Sequence, residues 1–141
     1  MFKKFIYKYL TNVEKNNITN FIKTNFKILN LDLLDDTLIF LECDHENISL
    51  SNIISCICLI NVKLLKYNFN KDSLYLYNFC VNEKYRNNKK GTELINYVIE
   101  FSKKYNIKYL YCSADNEISI KIFKNYNFIK EDKYYRLDLE K

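Results

Sequence analysis

The spacing of apolar residues changes repeatedly along the chain, and each change predicts an element. Residues 2–10 mix apolar and lysine positions as a first strand would, and Ile18, Phe21, Ile22, Phe26 and Leu29 then recur at helical spacing. With Thr11 and Asn12 as candidate caps, this predicts one amphipathic helix, whole or broken once. Leu38–Cys43 and Ile53–Val62 are aliphatic runs on either side of the polar segment Asp44–Asn52, the pattern of a strand pair. A polar excursion over residues 63–73 leads to a strand at Leu74–Val81 and a charged stretch at Asn82–Lys90. A helix follows over Gly91–Tyr105, with Leu94, Ile95, Val98, Phe101 and Tyr105 on one face and Lys103 and Lys104 near its C-terminus, where they complement the helix dipole. Tyr109–Cys112 reads as a short strand, Glu117–Tyr126 as a short helix, and Phe128–Glu131 with Tyr134–Leu139 as a closing hairpin. This order predicts a mixed α/β (α+β) plan with helices packed on a central sheet.

A length of 141 residues fits a single domain over 1–141. With one glycine and no proline, turns must be built by Asn and Asp, which tolerate the left-handed region. A formal charge of +5 suits an anionic partner, but the lysines are scattered as on a solvated face rather than gathered into a groove, which argues against nucleic acid. Cys43, Cys56, Cys58, Cys80 and Cys112 each fall in an apolar run, so buried free thiols and a reducing, cytoplasmic compartment are expected. Cys56 and Cys58 share one side of a strand without a second Cys/His pair, so no metal site is expected. His45 lies in a polar turn and receives no role. Lysines interrupt the N-terminal apolar residues, and no stretch approaches transmembrane length, so neither a signal peptide nor a membrane partner is expected.

Chemistry concentrates at residues 81–92. A helix N-terminus presents backbone N–H groups to anions, and here Arg86, Lys89 and Lys90 come just before a helix opening at Gly91 and Thr92, a setting for a pyrophosphate. The run Val81-Asn82-Glu83-Lys84-Tyr85-Arg86-Asn87-Asn88-Lys89-Lys90-Gly91 resembles the signature of the GNAT superfamily of acetyl-CoA-dependent N-acetyltransferases, with Lys89 where the first motif glycine stands. A second match lies at Asn116, Ser119, Phe123, Asn127 and Phe128, with Asn127 replacing a glycine that both residue types can supply in the left-handed region. The resemblance is detailed over residues 74–139 and elsewhere extends to element order.

That resemblance implies a GNAT-like, mixed and mostly antiparallel sheet flanked by helices, with acetyl-CoA as cosubstrate. It implies that Phe79, Cys80 and Val81 bind the pantetheine arm through their backbone, and that an N–H near Val81 stabilises the oxyanion formed as the amine attacks. It further implies that Arg86, Asn87, Asn88, Lys89, Lys90, Gly91 and Thr92 hold the pyrophosphate, with Asn116 on the pantetheine and Phe123 at the cofactor. The family often has a tyrosine at the Phe123 position to protonate the leaving thiolate; Tyr126 and Ser119 are the stand-ins. Where some members carry a carboxylate base, this chain has Tyr75, Tyr77 and Tyr111, and Tyr111 completes the catalytic candidates. Without a strong base, an α-amino group of pKa about 7.7–8.0, or an aminosugar amine, is a better acceptor than a lysine near 10.4. A small amine such as an aminosugar phosphate is therefore the expected acceptor, with general similarity to the small glucosamine-6-phosphate N-acetyltransferases. A protein N-terminus, or non-catalytic CoA binding, are the competing readings. A monomer or homodimer is expected.

Overall fold

The computed structural model describes residues 1–27, 29, 31, 33–65, 69–86, 88–113 and 117–140, the side chains of 64 and 117–119 excepted. The elements follow the predicted order: β1 (Phe2–Ile6), α1 (Asn12–Phe26), β2 (Leu38–Cys43), β3 (Ile53–Asn61), β4 (Ser73–Val81), α2 (Lys90–Lys104), β5 (Tyr109–Cys112), α3 (Glu117–Asn125), β6 (Ile129–Glu131) and β7 (Tyr134–Asp138). Among the described residues, seven strands lie in the order β1-β2-β3-β4-β5-β7-β6. β1 and β2 are antiparallel, as are β5 with β7 and β6 with β7, whereas β4 and β5 are parallel. A parallel pair needs a long crossover, and α2 supplies it.

The chain forms two compact units, Met1–Cys58 with Asn78–Tyr97 and Leu59–Tyr77 with Val98–Lys141. In the first, Ile18 and Ile22 of α1, Ile39 and Leu41 of β2, Ile53 and Ile57 of β3, and Leu94 and Ile95 of α2 are fully buried. β3 is buried continuously from Ile53 to Ile60, so it shows none of the alternation of a half-solvated strand. In the second unit Leu76, Leu110, Cys112 and Phe123 are buried.

Several boundaries differ from the sequence pattern for local reasons. The first strand stops at Ile6 because Tyr7–Tyr9 turn into a 3₁₀ helix, with the Tyr7 N–H bonded to Thr37 O and the Lys8 N–H to Asp35 O. The first helix is continuous and starts with a capping box between Thr11 and Glu14. It ends when Lys27 turns left-handed at φ 54°, and this removes Leu29 from the expected apolar face to 90 % exposure. On α2, Ile99 and Ser102, rather than Phe101 and Tyr105, complete the buried face. Ser102 can go inside because its hydroxyl donates to Val98 O at 2.8 Å, while Tyr105 is exposed and lies against Phe101. Tyr126 falls just beyond the end of α3.

All five cysteines are unpaired and buried. Burial pushes the Cys80 and Cys112 thiols well above their ordinary range. At pH 8 Ellman's reagent should therefore find less than one fast-reacting thiol in the native protein and all five in denaturant. A raised folded-state pKa contributes stability that is complete below the unfolded thiol value and lost as pH rises above it. Stability should fall above about pH 8.5, by about 1.4 kcal/mol per pH unit for each such thiol. Urea midpoints at pH 8, 9 and 10 check this, with a shallower decline expected for Cys112→Ala.

Candidate functional site

The site is built from the end of β4 and the segment that carries it into α2. Along β4, Leu74 and Leu76 are buried and Tyr75 and Tyr77 half-buried, until Asn78 turns left-handed at φ 53°. A left-handed residue inside a strand marks a bulge, and asparagine is among the few non-glycine residues that tolerate it. The β4–β5 register pairs Ser73–Leu76 with Tyr109–Cys112, so β4 continues past the end of β5 through Asn78 to Val81. The Asn78 Nδ2 is buried and has no hydrogen-bond partner among the described residues. Neither the bulge nor this amide was anticipated, although an Asn amid Leu, Tyr and Phe is the one weak strand former there and could have signalled it.

Beyond Val81, the residues Asn82, Lys84, Tyr85 and Arg86 are each held by hydrogen bonds. The Asn82 Oδ1 accepts from the Lys84 N–H at 3.1 Å and starts a 3₁₀ turn over Glu83–Tyr85, while the Asn82 N–H donates to Ile54 O at 2.7 Å. Arg86 is exposed, and its guanidinium folds back so that Nε donates to Val81 O at 3.2 Å and Nη2 to Asn25 Oδ1 at 3.4 Å. The Tyr85 hydroxyl donates to Asp44 Oδ2 at 3.3 Å, and that carboxylate raises the Tyr85 pKa, chiefly through its charge.

Lys89 adopts φ 60°, a left-handed conformation that a glycine tolerates more readily than a lysine, and its carbonyl accepts the first helical bond from the Glu93 N–H at 3.0 Å. The N–H groups of Lys90 and Gly91 stand in the first helical turn, outside the i→i−4 ladder, where an anion is favoured. Lys90, expected to meet the pyrophosphate with its charge, instead places its ammonium 2.7 Å from Glu42 Oε1 and 3.3 Å from Glu93 Oε2. The hydrogen bond to Glu42 is the main cause that raises the Lys90 pKa. Gly91 has a packing reason as well: a Cβ there would fall 2.9 Å from Phe79 Cζ and 3.4 Å from Val81 Cγ2. Phe79 and Val81 therefore meet the start of α2, whereas Cys80 is buried. Asn88 and Lys89 are exposed and Thr92 is half-buried.

Lys89→Gly separates strain from charge. Releasing a lysine from the left-handed region should raise stability by about 0.5–1 kcal/mol, and losing an exposed cation should weaken binding of an anion such as pyrophosphate at this helix start a few-fold, more at low salt. Thermal melting and calorimetry read the two effects, which run in opposite directions.

Asn87 and Asn116 lie outside the described residues, as does the side chain of Ser119. In the second unit, Tyr111 is 8 % exposed and its ring packs 4.5 Å from that of Phe69, which also contacts Tyr75 and Tyr134. Phe123 is 2 % exposed and packs against Phe128 at 5.1 Å. Tyr126 is half-buried, and Asn127 takes the expected left-handed turn at φ 67°. Among the described residues, no group of His, Cys, Asp and Glu is arranged to hold a metal, and no helix is long and apolar enough to cross a membrane.

The sequence profile of the acetyltransferase (GNAT) family matches residues 20–128, and the chain belongs to that family. Its fold is similar to that of an acetyltransferase of the GNAT family from Staphylococcus aureus Mu50, at 22 % identity over 99 % of each chain with a TM-score of 0.65. Escherichia coli ElaA is similar at 13 % identity over 96 % of each chain (TM-score 0.70), and so is an acyl-CoA N-acyltransferase from Pseudomonas aeruginosa, at 13 % over 96 % of each chain (TM-score 0.71). No curated protein matches the sequence.

Proposed function

We propose that this GNAT-family N-acetyltransferase uses acetyl-CoA and transfers its acetyl group to a small primary amine. The observation that carries the reading is Lys89, which holds a strained left-handed conformation and so keeps the turn into α2 where the family has glycine. In this reading the N–H groups and exposed polar side chains of residues 86–92 hold the pyrophosphate, and Asn116 and the backbone of Phe79–Val81 hold the pantetheine arm. When bound, acetyl-CoA supplies an activated thioester. The chain's part is to orient its carbonyl and to place an N–H near Val81 where negative charge develops.

Tyr126 is the better stand-in for the thiolate acid, because Tyr111 is covered by Phe69 and Phe123 has no proton to give. β4 and β5 carry no carboxylate, which favours an acceptor that is partly neutral near pH 7.5, an aminosugar phosphate among them. The compartment that suits five unpaired thiols is a reducing one, such as the cytoplasm.

Phe123 favours a second reading, binding of CoA without transfer. Calorimetry with acetyl-CoA, followed by release of free CoA thiol on adding glucosamine 6-phosphate, an N-terminal peptide or a polyamine, separates the two. Amine-dependent thiol release is expected; binding with no release for any amine supports the second reading, and no binding overturns both.

A further inference from the structure

We propose that Glu42 and Asp44, at the end of β2 and just beyond it, are positioning residues that hold Lys90 and Tyr85 in place for the binding of a pyrophosphate at the start of α2. The inference rests on the proposed role of residues 86–92. Glu42 is 3 % exposed, and its Oε1 takes the Lys90 ammonium at 2.7 Å. Its Oε2 is buried and accepts no hydrogen bond among the described residues, which leaves the Lys90 ammonium to compensate the charge. A buried carboxylate without its cation is costly, so Glu42 and Lys90 hold each other in place. Lys90 directly follows the strained residue Lys89, and strain of that kind persists where the surroundings over-determine the backbone. From the other side, Asp44 accepts the Tyr85 hydroxyl. The two carboxylates thus engage Tyr85 and Lys90, one on each side of the strained Lys89 and the exposed Arg86.

Charge alone would place no carboxylate beside an anion site, because like charges raise the energy of binding. Each of these is instead spent on a loop side chain, so geometry is what they contribute. Removing one should therefore weaken binding of the anion even though a negative charge has gone, and this sign separates positioning from simple electrostatics.

The test compares acetyl-CoA with acetyl-pantetheine, a thioester lacking the nucleotide and pyrophosphate. In Glu42→Gln the KM for acetyl-CoA should rise about tenfold, with kcat and the KM for acetyl-pantetheine unchanged. Because a buried substitution can prevent folding, Tyr85→Phe provides the second variant at an exposed pair, with a rise of about threefold for acetyl-CoA alone. An unchanged KM for acetyl-CoA in the folded variants overturns the proposal, as does a lower one, which would mean that the carboxylates merely offset cations. Equal losses for both thioesters would also overturn it, by showing a general structural role. A wild type that binds no acetyl-CoA in calorimetry defeats the pyrophosphate reading itself, whereas a binding wild type with unmoved variants defeats the positioning role alone.

Discussion

Replacing Asn78 by isoleucine should lower stability by about 2 kcal/mol and reduce acetyl transfer by about a hundredfold or more, while glycine at the same place should preserve both. Asn78 sits inside β4 at φ 53°, where a β-branched side chain meets the following carbonyl and a glycine meets nothing. Isoleucine would favour the extended conformation instead, and removing the left-handed residue would re-aim the side chains that follow it in the strand. Phe79 would then leave the start of α2 and Cys80 would leave the core, so the backbone of residues 79–81 would no longer present itself as proposed. Urea denaturation and the rate of CoA thiol release check the two effects. Equal activity in the isoleucine and glycine variants would show that the bulge has no part in the reaction.

Gly91→Val should destabilise the protein by about 1–3 kcal/mol and remove measurable acetyl-CoA binding. The added Cβ would lie 2.9 Å from Phe79 Cζ, and the ring it meets is itself half-buried beside Val81. Either the ring moves, disturbing β4 beyond the bulge, or the first turn of α2 lifts and misplaces its N–H groups. Both routes damage the same site. Phe79→Leu deletes the two ring atoms nearest the new Cβ, so the double variant should recover much of the lost stability, as coupled neighbours do. Melting curves of the two single variants and the double variant measure this coupling, and strict additivity would contradict it.

The element order was legible because its signals are local. Aliphatic runs such as Ile53–Val62, the face of Leu94, Ile95 and Val98, and the candidate caps Thr11 and Asn12 need only neighbours in sequence. The loop from Val81 to Gly91 was legible through its spelling, and its turn survives a lysine at position 89. What escaped notice depends on distant residues. Glu42 looks like a stray acid in the run LIFLEC until Lys90 is brought to it from 48 positions away. Asn25 and Asp44 gain a role only when Arg86 and Tyr85 reach them. Lys90 reads as a cation for an anionic ligand because sequence shows its charge but not the carboxylate that engages it. Leu29 and Tyr105 fit helical spacing but fall at or beyond helix ends that left-handed residues impose, Lys27 in the first case and Asn106 in the second.

Backbone amide NMR during titration with acetyl-CoA tests the central claim most directly, since it reports on the groups proposed to hold the pyrophosphate. The account predicts that the largest shifts fall on the N–H groups of residues 88–92, with a second set at 79–81, and that adenosine 3′,5′-bisphosphate moves neither set as far. Shifts confined to other parts of the chain, or none at saturating acetyl-CoA, would contradict it.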